Sequence, residues 1–414
     1  MEALQGLFGV AAMLALCWVL SEDRRQVPWR MVVSGIVLAA LLAAMLLKIP
    51  PLAHALAALN GVLAALEAAL AAGTSFVFGH LGGGATPYTV TDPSATFVLA
   101  FRALPLVLII AALSAVLFHW GVMPLIVRAF ARALQRTMGL GGAVGVSAAA
   151  NVFVGMVEAP LVIAPYLARL SRGELFIVMN CGMATIAGTV LVLYASFLGA
   201  VVPNALGHLL VASIVATPVA IAVAAVLVPP QLTDASAVAF ERQDANSMVA
   251  ITRGTLEGLQ LLLNIVAMLV VFVALVALAN GILGSLPAVN GAPLTLERLF
   301  GWVFAPLAWL VGVPASEAMT AGKLLGQKTV LNEFIAYIEM AKMGPEQLSP
   351  RTALLMTYAL AGFANFGSLG IMLGGLDALL PTERRAELAT LGLKSILAGL
   401  LSTCITAALV GVLS

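Results

Sequence analysis

Along the chain, apolar residues come in long unbroken runs, not in the alternation of a half-buried strand or the one-sided stripe of a surface helix. The runs occupy residues 3–20, 31–47, 95–120, 174–200, 203–228, 255–282, 352–378 and 386–413. About 20 apolar residues in a helix cross the hydrocarbon of a bilayer, so these are eight candidate spans. No Lys or Arg precedes the first run, whereas Glu22, Asp23, Arg24 and Arg25 follow it. That polarity is wrong for a cleaved secretion signal and predicts a first span with its N-terminus outside. Residues 52–72 are rich in Ala and Leu but carry His54, Asn60 and Glu67, which suits a helix lying at the interface.

Two stretches break the pattern. Residues 141–168 are apolar but Gly-rich and interrupted at Gly155-Met156-Val157-Glu158-Ala159-Pro160, and residues 315–341 are interrupted at Asn332-Glu333-Phe334. Each reads as a helical hairpin with its tip at membrane depth, tolerable only where the tip is buried in protein or faces water. The first starts and ends on the inner side, the second on the outer side.

These pieces form a repeat. Glu158 and Glu333 are 175 apart, Leu170-Ser171 and Leu348-Ser349 are 178 apart, and the runs Gly182–Gly188 and Gly362–Ser368 are 180 apart. The order hairpin, broken span, intact span therefore occurs twice, with opposite orientation. Inverted repeats with discontinuous helices point to a secondary transporter whose site lies near the midplane. The chain divides into N-terminal scaffold helices (1–140), a first transport repeat (141–228), a polar linker with a scaffold span and outer helix (229–314), and a second transport repeat (315–414). The linker opens at Pro229-Pro230 and holds Asp234, Glu241, Arg242, Asp244 and Arg253; another surface loop, 79–95, holds Gly82 to Gly84, Pro87 and Pro93.

Composition agrees with a membrane chain: 62% hydrophobic residues and only 9% charged, against about 25% in ordinary globular proteins. A net charge of +1 without a basic run argues against nucleic acid, and Cys17, Cys181 and Cys404 lack metal-ligand spacing. Of the 20 basic residues, twelve fall in inner loops under this topology and four (Lys48, Arg298, Lys342, Arg351) in outer ones, as the positive-inside rule requires. A bacterial inner membrane is the expected location, with the lipid bilayer as partner.

A carboxylate at membrane depth costs at least about 2.5 to 3.5 kcal/mol, so Glu158 and Glu333 need a partner or a function. Each could cap the free N–H groups of its own tip. Their matching positions favour convergence on one site, where they would accept substrate hydroxyl or N–H donors or balance a cation. In the broken spans, Gly182 and Gly188 bracket Thr185, and Gly362 and Gly367 bracket Asn365, with Ser368 a turn later. Unwound carbonyls together with Asn and Thr oxygens ligate a hard cation such as sodium. Thr185 and Ser368 could also bond back to their own helices; Asn365, a buried amide, needs several partners. Phe363 and Phe366 could stack on a ring or simply pack. Lys323 and Lys328 are expected to snorkel or pair with Glu317. His80, His119 and His208 carry no assigned role, and Arg102 is expected to pair with a neighbour or with lipid headgroups.

On Gly155 to Pro160, Lys328 to Tyr337 and Gly362 to Ser368, the chain resembles the concentrative nucleoside transporter family over nearly its whole length. The resemblance implies an all-α polytopic fold of eight transmembrane helices with two opposed re-entrant hairpins, a homotrimer, and nucleoside uptake coupled to sodium or protons. It also implies that Glu333, Asn365 and Ser368 hold the ribose, that Glu158 and Val190 line the nucleobase side, and that Phe363 covers the substrate. Asn151, Val154, Thr185 and Ile186 would form a sodium site, with Val154 and Ile186 acting through carbonyls. Sodium is the expected coupling ion, with protons as the alternative; no other cofactor is expected. The family's usual first tip reads Gly-Gln-Thr-Glu-Ala-Pro. Here Met156 and Val157 replace the amide and the hydroxyl, so ribose recognition is better supported than recognition of one base. The competing class is an intramembrane hydrolase using Glu158 and Glu333 as acid and base; a passive channel ranks third.

Overall fold

The computed structural model of the chain describes residues 2–92, 96–233, 244–289 and 291–413. Asp234, Glu241 and Arg242 of the linker and Pro93 of the 79–95 loop lie outside the described residues. The described residues are helical and loop, with one isolated bridge between Val289 and Ala292.

The N-terminal part runs α1 (Glu2–Val19), α2 (Trp29–Lys48), α3 (Pro50–Phe78), α4 (Leu99–Arg102), α5 (Leu106–His119) and α6 (Val122–Met138). Pro50 and Pro51 lack the N–H that would continue α2, so a new helix starts there. In α6, Val127, Ala131, Leu134 and Met138 are buried at helical spacing, leaving Arg128, Arg132 and Arg136 between them on other faces.

The segment expected as the first repeat follows as α7 (Gly142–Ala150), α8 (Glu158–Leu161), α9 (Ala164–Leu167), α10 (Arg172–Ala184), α11 (Gly188–Leu198) and α12 (Ala205–Leu227). Then come α13 (Ser247–Gly284) and α14 (Leu296–Val311). The segment expected as the second repeat holds α15 (Ala318–Val330), α16 (Glu333–Ala341), α17 (Pro350–Ala359), α18 (Phe366–Asp377) and α19 (Arg385–Leu413). The paired Leu-Ser steps have a physical meaning: Ser171 and Ser349 are N-caps. Ser171 accepts from the Glu174 N–H, with Glu174 returning a bond to the Ser171 N–H, and Ser349 accepts from the Thr352 N–H.

Among the described residues, seven helical stretches are long and apolar enough to cross a membrane: 29–48, 50–82, 99–119, 172–198, 205–227, 247–284 and 382–413. Six of them match expected spans. The run at 3–20 forms a shorter apolar helix, and 352–378 is divided between α17 and α18. The seventh, 50–82, contains the expected interfacial helix at 52–72 and is by length and composition also long and apolar enough to cross. Asn60 on it donates to Asn204, the N-cap of α12, at 2.6 Å.

Burial separates core from rim. In the most apolar windows of 172–198, 205–227 and 382–413 the buried share is 83%, 89% and 83%, whereas in α13 it is 0%. α13 is held from one side by α5: a Cβ on Gly254 would stand 2.6 Å from the Ala111 carbonyl oxygen, and one on Gly258 3.0 Å from the Ala111 Cβ. Small residues four apart let two helices approach where no hydrophobic effect drives them together. At the centre the two repeats meet at their breaks, since a Cβ on Gly362 would lie 2.8 Å from the Met183 carbonyl oxygen and 2.9 Å from Thr403 Cγ2.

Candidate substrate and cation site

In the first repeat, residues 151–157 form the tip between α7 and α8, and Thr185 to Ala187 form the break between α10 and α11. Thr185 Oγ1 donates to its own helix at the Cys181 carbonyl (2.8 Å), and it also reaches the tip at the Asn151 carbonyl (3.0 Å). The Gly188 N–H donates to the Phe153 carbonyl at 3.0 Å, and a Cβ on Gly188 would stand 2.8 Å from that oxygen. The Ile186 N–H donates to Ser213 Oγ of α12 at 3.2 Å, while the Ile186 carbonyl receives only a 3.5 Å contact from that hydroxyl. Asn151 donates through Nδ2 to the Ser147 carbonyl at 3.1 Å, but its Oδ1 is buried and accepts no hydrogen bond. Buried polar atoms are normally satisfied. An unused amide oxygen beside an underused carbonyl is a donor set suited to a hard cation. Val154, half-buried, follows on the same tip.

The second repeat is built differently. Asn332 caps α16 by accepting from the Ile335 N–H at 2.9 Å, which sets Glu333 at the first helical position. Glu333 is 5% exposed; its Oε1 accepts from the Tyr194 hydroxyl at 2.6 Å and its Oε2 from Asn365 Nδ2 at 2.8 Å. Asn365 in turn caps α18, accepting from the Ser368 N–H at 2.7 Å. Both ends of this amide are thus satisfied, as a buried Asn requires.

The structure therefore brings Glu333, Asn365 and Ser368 together at one break and Asn151, Thr185 and Ile186 at the other. It does not pair the two carboxylates: the partners of Glu333 are Tyr194 and Asn365, and Glu158 stays exposed on its tip. Met156 and Val157 pack against the broken helices, since a Cβ on Gly182 would lie 2.8 Å from Met156 Cβ and one on Gly375 2.8 Å from Val157 Cγ1. Val190 is buried and Phe363 half-buried against the core, while Phe366 is exposed.

Tyr194 escaped the sequence reading. Its signal was a phenol inside an apolar run, whose hydroxyl needs an acceptor when buried, one turn beyond Val190. Its ring lies 5.0 Å from Tyr337 and 5.9 Å from Phe334, so α11 of the first repeat grips the hairpin of the second.

The expectation for Lys328 is corrected. It neither snorkels nor pairs with Glu317; it is fully buried, and its Nζ donates to the Ala359 carbonyl and to Thr403 Oγ1, both at 2.8 Å. Glu317 instead accepts from the N–H and the hydroxyl of Ser349, each at 3.0 Å. The cause is packing: α15 turns this position toward α17 and α19, so the stem leads inward. His208 is not isolated, since Nδ1 lies 2.8 Å from the Tyr358 hydroxyl, and Arg102 stands over the Phe97 ring at 5.7 Å. Among the described residues no three His, Cys, Asp or Glu side chains cluster to hold a metal.

Architecture and site together define a polytopic transporter with discontinuous helices. Comparison with known proteins makes the class definite. Residues 208–411 match the family described as Na+ dependent nucleoside transporter C-terminus, residues 8–81 its N-terminus, and residues 100–201 a gate described as nucleoside recognition. The nucleoside permease NupC of Helicobacter pylori is 35% identical, covering 99% of this chain and 97% of that one. An uncharacterized transporter of Haemophilus influenzae is 37% identical over 99% of this chain and 98% of its own. Mouse solute carrier family 28 member 3 is 33% identical over 98% of this chain, which spans 58% of the mouse protein. The solved structure of CNTnw in an inward-facing substrate-bound state superposes with a TM-score of 0.90 at 38% identity, covering 100% of this chain and 98% of that one. The chain belongs to the concentrative, sodium-dependent nucleoside transporter family, whose members are transporters and not enzymes. The hydrolase alternative finds no support.

Proposed function

We propose that the protein is a secondary-active symporter that takes up nucleosides, or closely related compounds, with sodium as the coupling ion. In this reading eight spans and two re-entrant hairpins, with the N-terminus outside, stand in a bacterial inner membrane as a homotrimer. The observation that carries it is the buried cluster of Glu333, Asn365 and Ser368 at the second break. A carboxylate, an amide and a hydroxyl held by two helix caps suit the hydroxyls of a ribose, which can donate to the first and exchange bonds with the others. Val190 and the exposed Glu158 line the side left for the base, and Phe363 covers the substrate. Met156 and Val157 give that side an apolar tip, so selection among bases rests on Glu158, backbone groups and shape.

The reading assigns sodium to the first break. Asn151 Oδ1 has no other partner, Thr185 supplies a hydroxyl oxygen, and the Val154 and Ile186 carbonyls complete an oxygen shell of the kind hard cations take. A cation there would tie the first tip to the broken helix and so favour a closed substrate site. CNTnw has been solved in inward-facing, outward-facing and intermediate states, which supports alternating access for this chain as well. Uptake of a panel of radiolabelled nucleosides into proteoliposomes, with and without an inward sodium gradient, tests the reading. Accumulation above the outside concentration that depends on the gradient is expected. Mere equilibration, or no uptake of any nucleoside, would overturn it.

A further inference from the structure

Each repeat gathers three elements at its break: the first arm of its hairpin, the broken helix and the closing helix. In the first repeat the tip meets the break through Thr185 and the Asn151 carbonyl, and Ser213 of α12 meets Ile186. An unused oxygen, Asn151 Oδ1, remains at that junction. In the second repeat the same three kinds of element are joined by one atom. Lys328 leaves the hairpin arm α15, and its Nζ reaches the Ala359 carbonyl that ends α17 and Thr403 Oγ1 of the closing helix α19. Thr403 Oγ1 gives its own proton to the Leu400 carbonyl at 3.0 Å, so toward Lys328 it can only accept.

We infer that the Lys328 ammonium is a tethered cation, standing in the second repeat where the first repeat takes an exchangeable one. Three facts meet in that assignment. The ammonium is fully buried and its two acceptors are oxygens, one a carbonyl freed by the helix break and one a hydroxyl, the donor types also present at the first break. It stands five residues before Glu333, across the break between α15 and α16. A neutral nucleoside brings no countercharge, so a buried Glu333 carboxylate needs a resident cation, and an isolated ion in low dielectric is otherwise strongly disfavoured. The consequence is an asymmetry of function. The first break can open and close with the cation that enters it, whereas the second is permanently closed by a lysine. The first half of this comparison rests on the sodium reading given above; the second half does not.

The test is chemical rescue of the full-length chain in detergent, read as thermal unfolding in choline, sodium and methylammonium chlorides. Lys328→Ala should unfold about 5 °C or more below the parent in choline chloride, and methylammonium should restore much of that loss while leaving the parent unmoved. Lys328→Met with Glu333→Gln, which removes both charges, should be more stable than Lys328→Met alone; this second arm decides the matter if Lys328→Ala does not fold. The proposal is overturned if Lys328→Ala matches the parent in choline chloride. It is equally overturned if methylammonium restores nothing and Glu333→Gln does not lessen the loss. A parent indifferent to sodium, together with rescue of Lys328→Ala, would remove the sodium reading of the first repeat and support the tethered cation on its own.

Discussion

The two hairpin tips carry the same residue, glutamate, at the first position of the returning helix, and treat it in opposite ways. Glu158 is exposed, on a tip whose apolar neighbours Met156 and Val157 press against glycines of the two broken helices. Glu333 is buried and receives hydrogen bonds from Tyr194 and Asn365. The same difference runs through the breaks: the first leaves Asn151 Oδ1 without a partner, and the second is bridged by Lys328. Matching positions in the sequence are thus buried and bonded in one half, and exposed or without a partner in the other. A buried, fully bonded carboxylate is expensive to disturb, whereas an exposed one and an unused oxygen are places for something to bind.

The largest test of that contrast compares the two glutamates. Glu333→Gln replaces a charged acceptor of two bonds by an amide, and bonds to charged groups are worth about 1.5 to 3 kcal/mol each. Nucleoside uptake at subsaturating concentration should fall about 100-fold or more, and Tyr194→Phe should fall in the same direction by less. Glu158→Gln, on the open tip, should cost about 10-fold at most. Equal losses at the two positions, measured as initial rates in proteoliposomes, would erase the distinction between the two halves.

The all-helical architecture, the family and the places where helices break, at 151–157, 185–187, 331–332 and 360–365, were legible in the sequence. The order of apolar runs and the Glu, Leu-Ser and glycine landmarks depend only on local chain chemistry. What stayed hidden was long-range. Tyr194 and Glu333 are 139 residues apart, and nothing at either position announces the other. Lys328 looked like a snorkelling lysine because sequence shows the length of a stem and not the direction in which packing points it.

A second effect should separate the breaks by their response to bulk. A Cβ at Gly362 would meet the Met183 carbonyl oxygen, Thr403 and the Ala184 carbonyl carbon within 3.0 Å, all on neighbouring helices of the core. Overpacking of this kind costs about 1 to 3 kcal/mol, so Gly362→Ala should lower the unfolding midpoint by several degrees. At Gly188 the only contact within 3.0 Å is the Phe153 carbonyl oxygen of the tip. Gly188→Ala should therefore alter uptake more than stability, and the reverse pattern would show that the first tip is as rigidly held as the second.

Next in size is the sodium response. Asn151→Ala and Thr185→Ala should each raise the sodium concentration for half-maximal uptake about 10-fold, since each removes an oxygen from the proposed shell. Ser368→Ala should instead raise the nucleoside concentration needed, with the sodium dependence nearly unchanged. A sodium shift of equal size in all three would mean that the breaks do not divide the work.

The smallest effect concerns the point where the two repeats share an anchor. Glu22, in the loop after α1, accepts from Arg172 at the start of α10 through two bonds of 2.9 and 3.0 Å, and from Lys394 of α19 at 2.5 Å. Both repeats are thus pinned to the N-terminal helices by one carboxylate. The Arg172 guanidinium, seconded by the Lys394 ammonium, pulls the Glu22 carboxyl from its ordinary 4.5 down to about 2. Between those values the unfolded chain binds the extra proton and the folded chain does not, so the stability this cluster contributes is fully present above about 4.5 and is lost as the pH falls toward about 2. The size is modest because solvent reaches all three groups. The unfolding midpoint of the parent should exceed that of Glu22→Gln by a constant margin from pH 7 down to about 4.5, and the margin should close below that. If Glu22 served the first repeat alone, Lys394→Ala would leave the margin intact. With both repeats pinned to it, Lys394→Ala should narrow the margin and move its closing point upward in pH.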